Sequence, residues 1–248
     1  AVKNEWDLDN VVAPLVTTTG DLLTVPSLIL ASYLAGRSGF TNSLALLIAC
    51  ISVIVLILSF KTSHDRFRRI FRQSIPVLGF AVVLDLIAGF VVEKRLKDLL
   101  EVEAILVLLP AFMGIAGALG GILSSRLSTQ FHLGLDDASP VPSRSSLRGA
   151  ADLSALAIPI FIFSGLIAHL ISLVADQSTP GLAKLVLVSV IAGSIVTLFV
   201  CVVAYYTTMG SFRFGLDPDT YGIPVVTSSL DLVGAFTIIL AMVLTGVI

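Results

Sequence analysis

Charge is what this 248-residue chain has least of: 13% of its residues are charged against 56% hydrophobic, and its mean hydropathy is +1.01. Soluble globular domains carry about 25% charged residues. With so few polar side chains a body of this size could not cover a water-facing surface, which excludes a soluble enzyme; the same apolar content excludes a disordered segment. Cysteine is nearly absent too. Two residues, Cys50 and Cys201, cannot make a disulfide scaffold, and each lies in an apolar run where a thiol reads as a small buried hydrophobe. A net charge of -2 leaves no basic domain for nucleic acid. The first residues, AVKNEWDLDN, lack the basic, apolar and small-residue zones of a signal peptide. What remains is hydrocarbon in long runs, the signature of an integral membrane protein.

About 20 apolar residues cross the roughly 30 Å of a bilayer's hydrocarbon. Such runs recur seven times, at about 11–35 (with Pro14 and Pro26 inside), 43–60, 75–92, 104–124 (with Pro110 inside), 153–175, 182–207 and 224–248. The expected fold class is an all-α polytopic membrane protein with about seven transmembrane helices. Seven spans put the connections on alternate sides. With the N-terminus lie ten basic residues: Lys3, Lys61, Arg66, Arg68, Arg69, Arg72, Arg126, Arg144, Arg148 and Arg213. The other side has five, Arg37, Lys94, Arg95, Lys97 and Lys184. Basic residues favour the cytoplasm, so the expectation is a multi-pass protein of the cell membrane with its N-terminus cytoplasmic and its C-terminus outside.

The segment KTSHDRFRRIFRQS interleaves Phe67, Ile70 and Phe71 with arginines at helical spacing, as an interfacial turn meeting lipid headgroups would. Residues 125–150 read as the only long connection, solvated and cytoplasmic. Trp6, Tyr205 and Tyr206, near span ends, read as interface anchors.

One internal repeat stands out, at an offset of 210 residues. DLDNVVAPLVTTTGDL, 7–22, aligns without a gap to DPDTYGIPVVTSSLDL, 217–232. Asp7, Asp9, Pro14, Val16, Thr17, Asp21 and Leu22 face Asp217, Asp219, Pro224, Val226, Thr227, Asp231 and Leu232, seven agreements in sixteen positions. Both copies open an odd-numbered span and cross in the same direction, so an axis along the membrane normal relates them. The first and last helices are thus expected side by side across a pore-like axis.

Each copy carries the same chemistry. Asp231 shares a helical face with Thr227 and Ser228, and Asp21 with Thr17 and Thr18. A carboxylate inside a span is unfavourable by several kcal/mol unless it meets a cavity or a partner, and two brought together need a cation between them. Mg²⁺ fits, because it dehydrates reluctantly and is commonly held by one or two carboxylates with its waters retained; the hydroxyls would accept from those waters. The alternative is a protonated Asp bonded within the bundle. At the cytoplasmic ends Asp7, Asp9, Asp217 and Asp219 read either as an acidic mouth that concentrates cations or as ordinary helix-start residues.

At these residues the chain resembles the MgtE family of magnesium channels and its two-repeat relatives among the magnesium solute carriers. The family's last helix has a Pro, hydroxyl residues and an Asp seven positions after the Pro, as in PVVTSSLD at 224–231 after GLDPD; PLVTTTGD repeats it at 14–21. PAFMGIAGALGGILSSRLST, 110–129, is similar to the family's second helix, with Ala118 where the family has Asn. The resemblance implies a complete five-helix MgtE-like domain over 75–248, preceded by a linking helix and basic segment over 37–74. Residues 1–36 would be the last helix of a first repeat whose other helices come from a missing segment or from a second subunit. It implies transport of Mg²⁺, with other divalent cations left open, the ion held through water by Asp21 and Asp231, with no catalytic residues and no organic cofactor. A passive channel and a Na⁺- or H⁺-coupled exchanger are both compatible with these residues.

Asp85, mid-span in AVVLDLIAG, either lines the conduit or couples a proton, or else bonds a neighbouring helix. Gly114, Gly117, Gly120 and Gly121 let backbones approach closely, and Gly114 and Gly117 could also expose carbonyls to a hydrated ion. His169 has no second ligand at helical spacing and reads as a hydrogen-bonded core residue. The competing function is an intramembrane aspartyl protease using Asp21 and Asp85. The duplicated motif, with no duplicated partner for Asp85, favours transport.

Overall fold

The computed structural model describes residues 8–35, 40–61 and 65–248, and the side chains of most of these. The described residues form helices and contain no strand. In chain order they are α1 (Leu8–Ala35), α2 (Phe40–Lys61), α3 (Asp65–Lys94), α4 (Leu96–Glu101), α5 (Glu103–His132), α6 (Arg144–Val174), α7 (Leu182–Arg213) and α8 (Pro218–Leu244). Among the described residues six helices, α2, α3, α5, α6, α7 and α8, are long and apolar enough to cross a membrane. At 28 residues α1 also has the length.

Spacing decides the core. On α7 the fully buried residues Val188, Ala192, Val196, Val200 and Ala204 recur every fourth position, which lines them along one face. The stripe on α5 runs Leu108, Phe112, Ala116, Leu119, Leu123, Leu127 and Phe131, and that on α8 includes Val226, Leu230 and Ile238. α7 sits at the centre against α5, α6 and α8; α3 packs on α8, and α1 packs along α5. Small residues set the separations. A Cβ at Gly193 would lie 2.3 Å from the Phe161 ring, and one at Gly165 would lie 2.9 Å from the Val186 Cα, so α6 and α7 meet nearly backbone to backbone. Ser189 fixes that contact by donating to the Phe161 carbonyl at 2.7 Å.

Several sequence expectations change. α5 and α6 run well into the connection expected over 125–150, leaving only the turn between His132 and Arg144. Leu127 and Phe131 continue the buried stripe of α5, and Phe131 meets Tyr205 and Phe212 of α7, so packing carries the helix through its Ser- and Thr-rich end. Tyr205 is buried rather than an interface anchor, with its hydroxyl donating to the Ser139 carbonyl at 2.8 Å. Cys50 is exposed on α2, whose apolar stretch 41–58 has no buried residue. Cys201 is half-buried beside Ser154.

The turn before α6 is held by a carboxylate. Ser143 caps the helix by accepting from the Ser146 N–H at 3.1 Å, and both serine hydroxyls donate to Asp136. Burial pushes the Asp136 pKa up, but these bonds, with the N–H groups of Asp137 and Ser146, outweigh it and hold the carboxyl below its ordinary range. The folded pKa is depressed, so the stabilisation is present above the unfolded value and lost as pH falls through the folded one. Asp136→Asn should therefore lower the thermal midpoint at neutral pH, with the gap from wild type narrowing below about pH 4. Ser143→Ala should cost about 1 kcal/mol of stability, read by unfolding in detergent.

Candidate functional site

A cavity of about 480 Å³ opens between α1, α3, α5 and α8. Gly20 and Thr24 reach it from α1, Asp85 from α3, Pro110, Met113, Gly114 and Gly117 from α5, and Thr227, Ser228 and Asp231 from α8. Asp231 is midway along α8, about 20 Å from either end at 1.5 Å per residue. The cavity therefore lies near the middle of the membrane-spanning length.

Glycine placement explains both the contact and the gap. At Gly120 a Cβ would sit 2.7 Å from Val226 Cγ1 and 2.9 Å from Leu230 Cδ1, and at Gly234 one would sit 2.8 Å from Met113 Sδ. Each helix supplies one glycine, and α5 and α8 cross there at close range. At Gly117, one turn along, a Cβ would meet only Thr227 Cγ2, at an ordinary 3.8 Å. The side chains missing at Gly114 and Gly117 leave the cavity wall open.

Two of its hydroxyls have their protons committed to the backbone. Thr227 donates its hydroxyl proton back to the carbonyls of Ile223 and Pro224, each at 3.1 Å, and Thr24 donates to the Gly20 carbonyl at 2.8 Å. A hydroxyl has one proton and two lone pairs, so each is left with lone pairs to offer. Pro110 and Pro224 lack an N–H, which deprives the carbonyls of Leu106 and Thr220 of their usual helical donor. Asp85 is exposed and Asp231 half-buried, and among the described lining residues none is basic. Such a wall attracts cations and accepts hydrogen bonds.

Of the residues singled out by sequence, the cavity gathers Asp85, Gly114, Gly117, Thr227, Ser228 and Asp231. Thr18 is exposed and is not on its wall. Asp7 lies outside the described residues, as do the side chains of Asp9, Thr17 and Asp21. α1 packs along α5 rather than along α8, so the first and last helices form different walls of one cavity. Asp217 is the N-cap of α8, accepting from the Asp219 N–H at 3.1 Å and the Thr220 hydroxyl at 2.9 Å, and Asp219 is exposed in the first turn. His169 is half-buried with its Nδ1 3.0 Å from the Thr179 hydroxyl. Thr24, Gly20, Pro110 and Met113 were not foreseen. Thr24 stands three positions after Asp21, on the same helical face, but its counterpart in the repeat is Gly234, so the duplicated motif ends before it. Among the described residues no three His, Cys, Asp or Glu side chains cluster as metal ligands.

The family model for MgtE, a divalent cation transporter, matches residues 109–241, more than half of the chain. Solute carrier family 41 member 3 of Mus musculus is 23% identical over 240 residues, which cover 91% of this chain and 49% of that protein. Solute carrier family 41 member 2 of Homo sapiens is 26% identical over 245 residues, covering 91% of this chain and 42% of that protein. The chain thus spans about half the length of the curated relatives it matches. No solved structure matches it.

The α5–α8 geometry separates two otherwise similar substitutions. Gly120→Ala should destabilise the bundle by about 1–3 kcal/mol through overpacking against Val226 and Leu230. Gly117→Ala, facing open space, should leave stability within about 1 kcal/mol of wild type or raise it, since Ala is the better helix former. Chemical unfolding of both variants in detergent measures the difference.

Proposed function

The chain belongs to the MgtE family of divalent cation transporters, and from that premise we propose that it carries Mg²⁺ across the cell membrane through the cavity between α1, α3, α5 and α8. One observation carries this reading: Asp85, Asp231, Thr227 and Thr24 line a single cavity at mid-membrane depth without a basic residue among its described lining. An ion entering it must be positive. An ion that keeps its water is also the one for which acceptors, rather than direct ligands, are the right wall.

Mg²⁺ holds its waters firmly and turns their protons outward. Those protons meet the lone pairs left on Thr227 and Thr24, the carbonyls along the Pro-interrupted turns, and the carboxylate of Asp231. Asp21, with Thr17, is in this reading the counterpart of Asp231 and Thr227 from the repeated motif on α1 and the second carboxylate that holds the ion; Thr18, off the cavity wall, takes no part. Ser228 and the backbone at Gly114 and Gly117 complete the ion's path, and Asp7, Asp9, Asp217 and Asp219 concentrate cations at the cytoplasmic mouth. Asp217 can cap α8 and serve the mouth together, because capping leaves its charge in place.

α1 exposes large apolar side chains along much of its length, among them Leu15, Leu22 and Leu23. In this account four further helices of a first repeat, or a second subunit, pack there and close the conduit. The N-terminus is cytoplasmic and the C-terminus outside.

Asp231→Asn removes one charge at nearly constant volume. In liposomes it should lower ²⁸Mg uptake by at least about tenfold, while Thr227→Val, which keeps shape and loses one acceptor, should lower it less. Undiminished uptake by a folded Asp231→Asn protein would contradict the proposal.

A further inference from the structure

A second cavity, of about 430 Å³, lies between the last turns of α5 and the first turns of α6, at the basic end of the bundle. Arg126 reaches it from α5 and Arg148 from α6, with Gln130 and Asp152 beside them and Leu123 and Leu127 on its apolar side. Two guanidinium groups on different helices thus line one cavity. Each carries five N–H donors, enough to bind an oxyanion while keeping other bonds. The Oε1 of Gln130 is buried without a hydrogen-bond partner. An amide whose O and N can exchange by a flip offers that place either polarity.

Asp136, the carboxylate that takes the hydroxyls of Ser143 and Ser146 at the start of α6, does not line the cavity, so the acidic side chain on its wall is Asp152.

Depth and charge narrow the ligand. The 30 residues of α5 span about 45 Å, about 15 Å more than the hydrocarbon of a bilayer. Arg126 is six residues from the end of α5 and Arg148 four from the start of α6, so both stand about 6–9 Å inside the helix ends. That is the boundary between acyl chains and headgroups. Two arginines and one aspartate leave the lining with one positive charge, which matches the single negative charge of a phosphodiester better than the higher charge of free phosphate.

We propose that this cavity binds the phosphate of a membrane phospholipid, gripped by Arg126 and Arg148, with the glycerol end of the lipid over Leu123 and Leu127. Asp152 limits the charge the site accepts. The chemistry is that of a phosphate ester, and a soluble phosphate is the competing source.

The test is titration of the purified full chain in detergent with short-chain phosphatidylglycerol, followed by calorimetry, with and without inorganic phosphate as competitor. The double variant Arg126→Gln/Arg148→Gln should bind at least about tenfold more weakly. Gly149→Leu provides a second route: Gly149 lines the cavity, and a Cβ there meets nothing within 4 Å, so the side chain fills the space without changing charge or straining the helix. It should weaken binding to a similar degree while the thermal midpoint without lipid stays near wild type. Lipid binding that inorganic phosphate fails to displace supports the membrane source, and displacement by phosphate overturns it in favour of a soluble phosphate ligand. Unchanged lipid binding by Gly149→Leu, or by a folded double variant, overturns the site altogether.

Discussion

The close crossing of α5 and α8 is the constraint on which the rest of this structure depends. Gly120 of α5 receives Val226 and Leu230, and Gly234 of α8 receives Met113. In a bilayer, association of helices gains little from removing apolar surface from water, since lipid tails are as apolar as leucine; it rests on van der Waals contact and on small residues that let backbones approach. That crossing fixes α8 against α5 at two levels, and between them Gly114 and Gly117 withhold the side chains that would fill the space. The cavity follows from the packing.

The chemistry of the cavity follows in turn from covalent structure. Proline in a spanning helix removes an N–H and leaves carbonyls short of donors, and threonine in such a helix turns its proton back on its own backbone. Thr24 of α1 and Thr227 of α8 do this in the same cavity. A wall so made has lone pairs to spare and almost no protons to give. Placed beside Asp85 and Asp231, it suits a cation wrapped in water more than a bare metal in a rigid cage.

Much of this was legible in the amino-acid sequence, and the parts that were not share a cause. Hydropathy located the spanning helices, because their backbones can be satisfied only internally at that depth. Duplication of the Pro-to-Asp element picked out Thr227, Ser228 and Asp231, which do meet in the cavity. Hydropathy could not tell lipid-facing from buried positions, since both are apolar: Cys50 is exposed, and Tyr205 near a helix end is buried. It also ended α5 too early, where Ser, Thr and Arg lower the mean while Leu127 and Phe131 keep the buried stripe going. Thr24 escaped because the argument from repetition stops where the two copies diverge, at Thr24 against Gly234.

The central claim is that the cavity is wet and that Mg²⁺ occupies it. Thr227→Cys, made in a chain carrying Cys50→Ala and Cys201→Ala, tests this through the rate of modification by a membrane-impermeant, water-soluble thiol reagent. The account predicts that the thiol reacts despite its depth, and that millimolar Mg²⁺ slows the reaction. A thiol that stays unreactive in a folded protein, or one that reacts at the same rate with and without Mg²⁺, would contradict it.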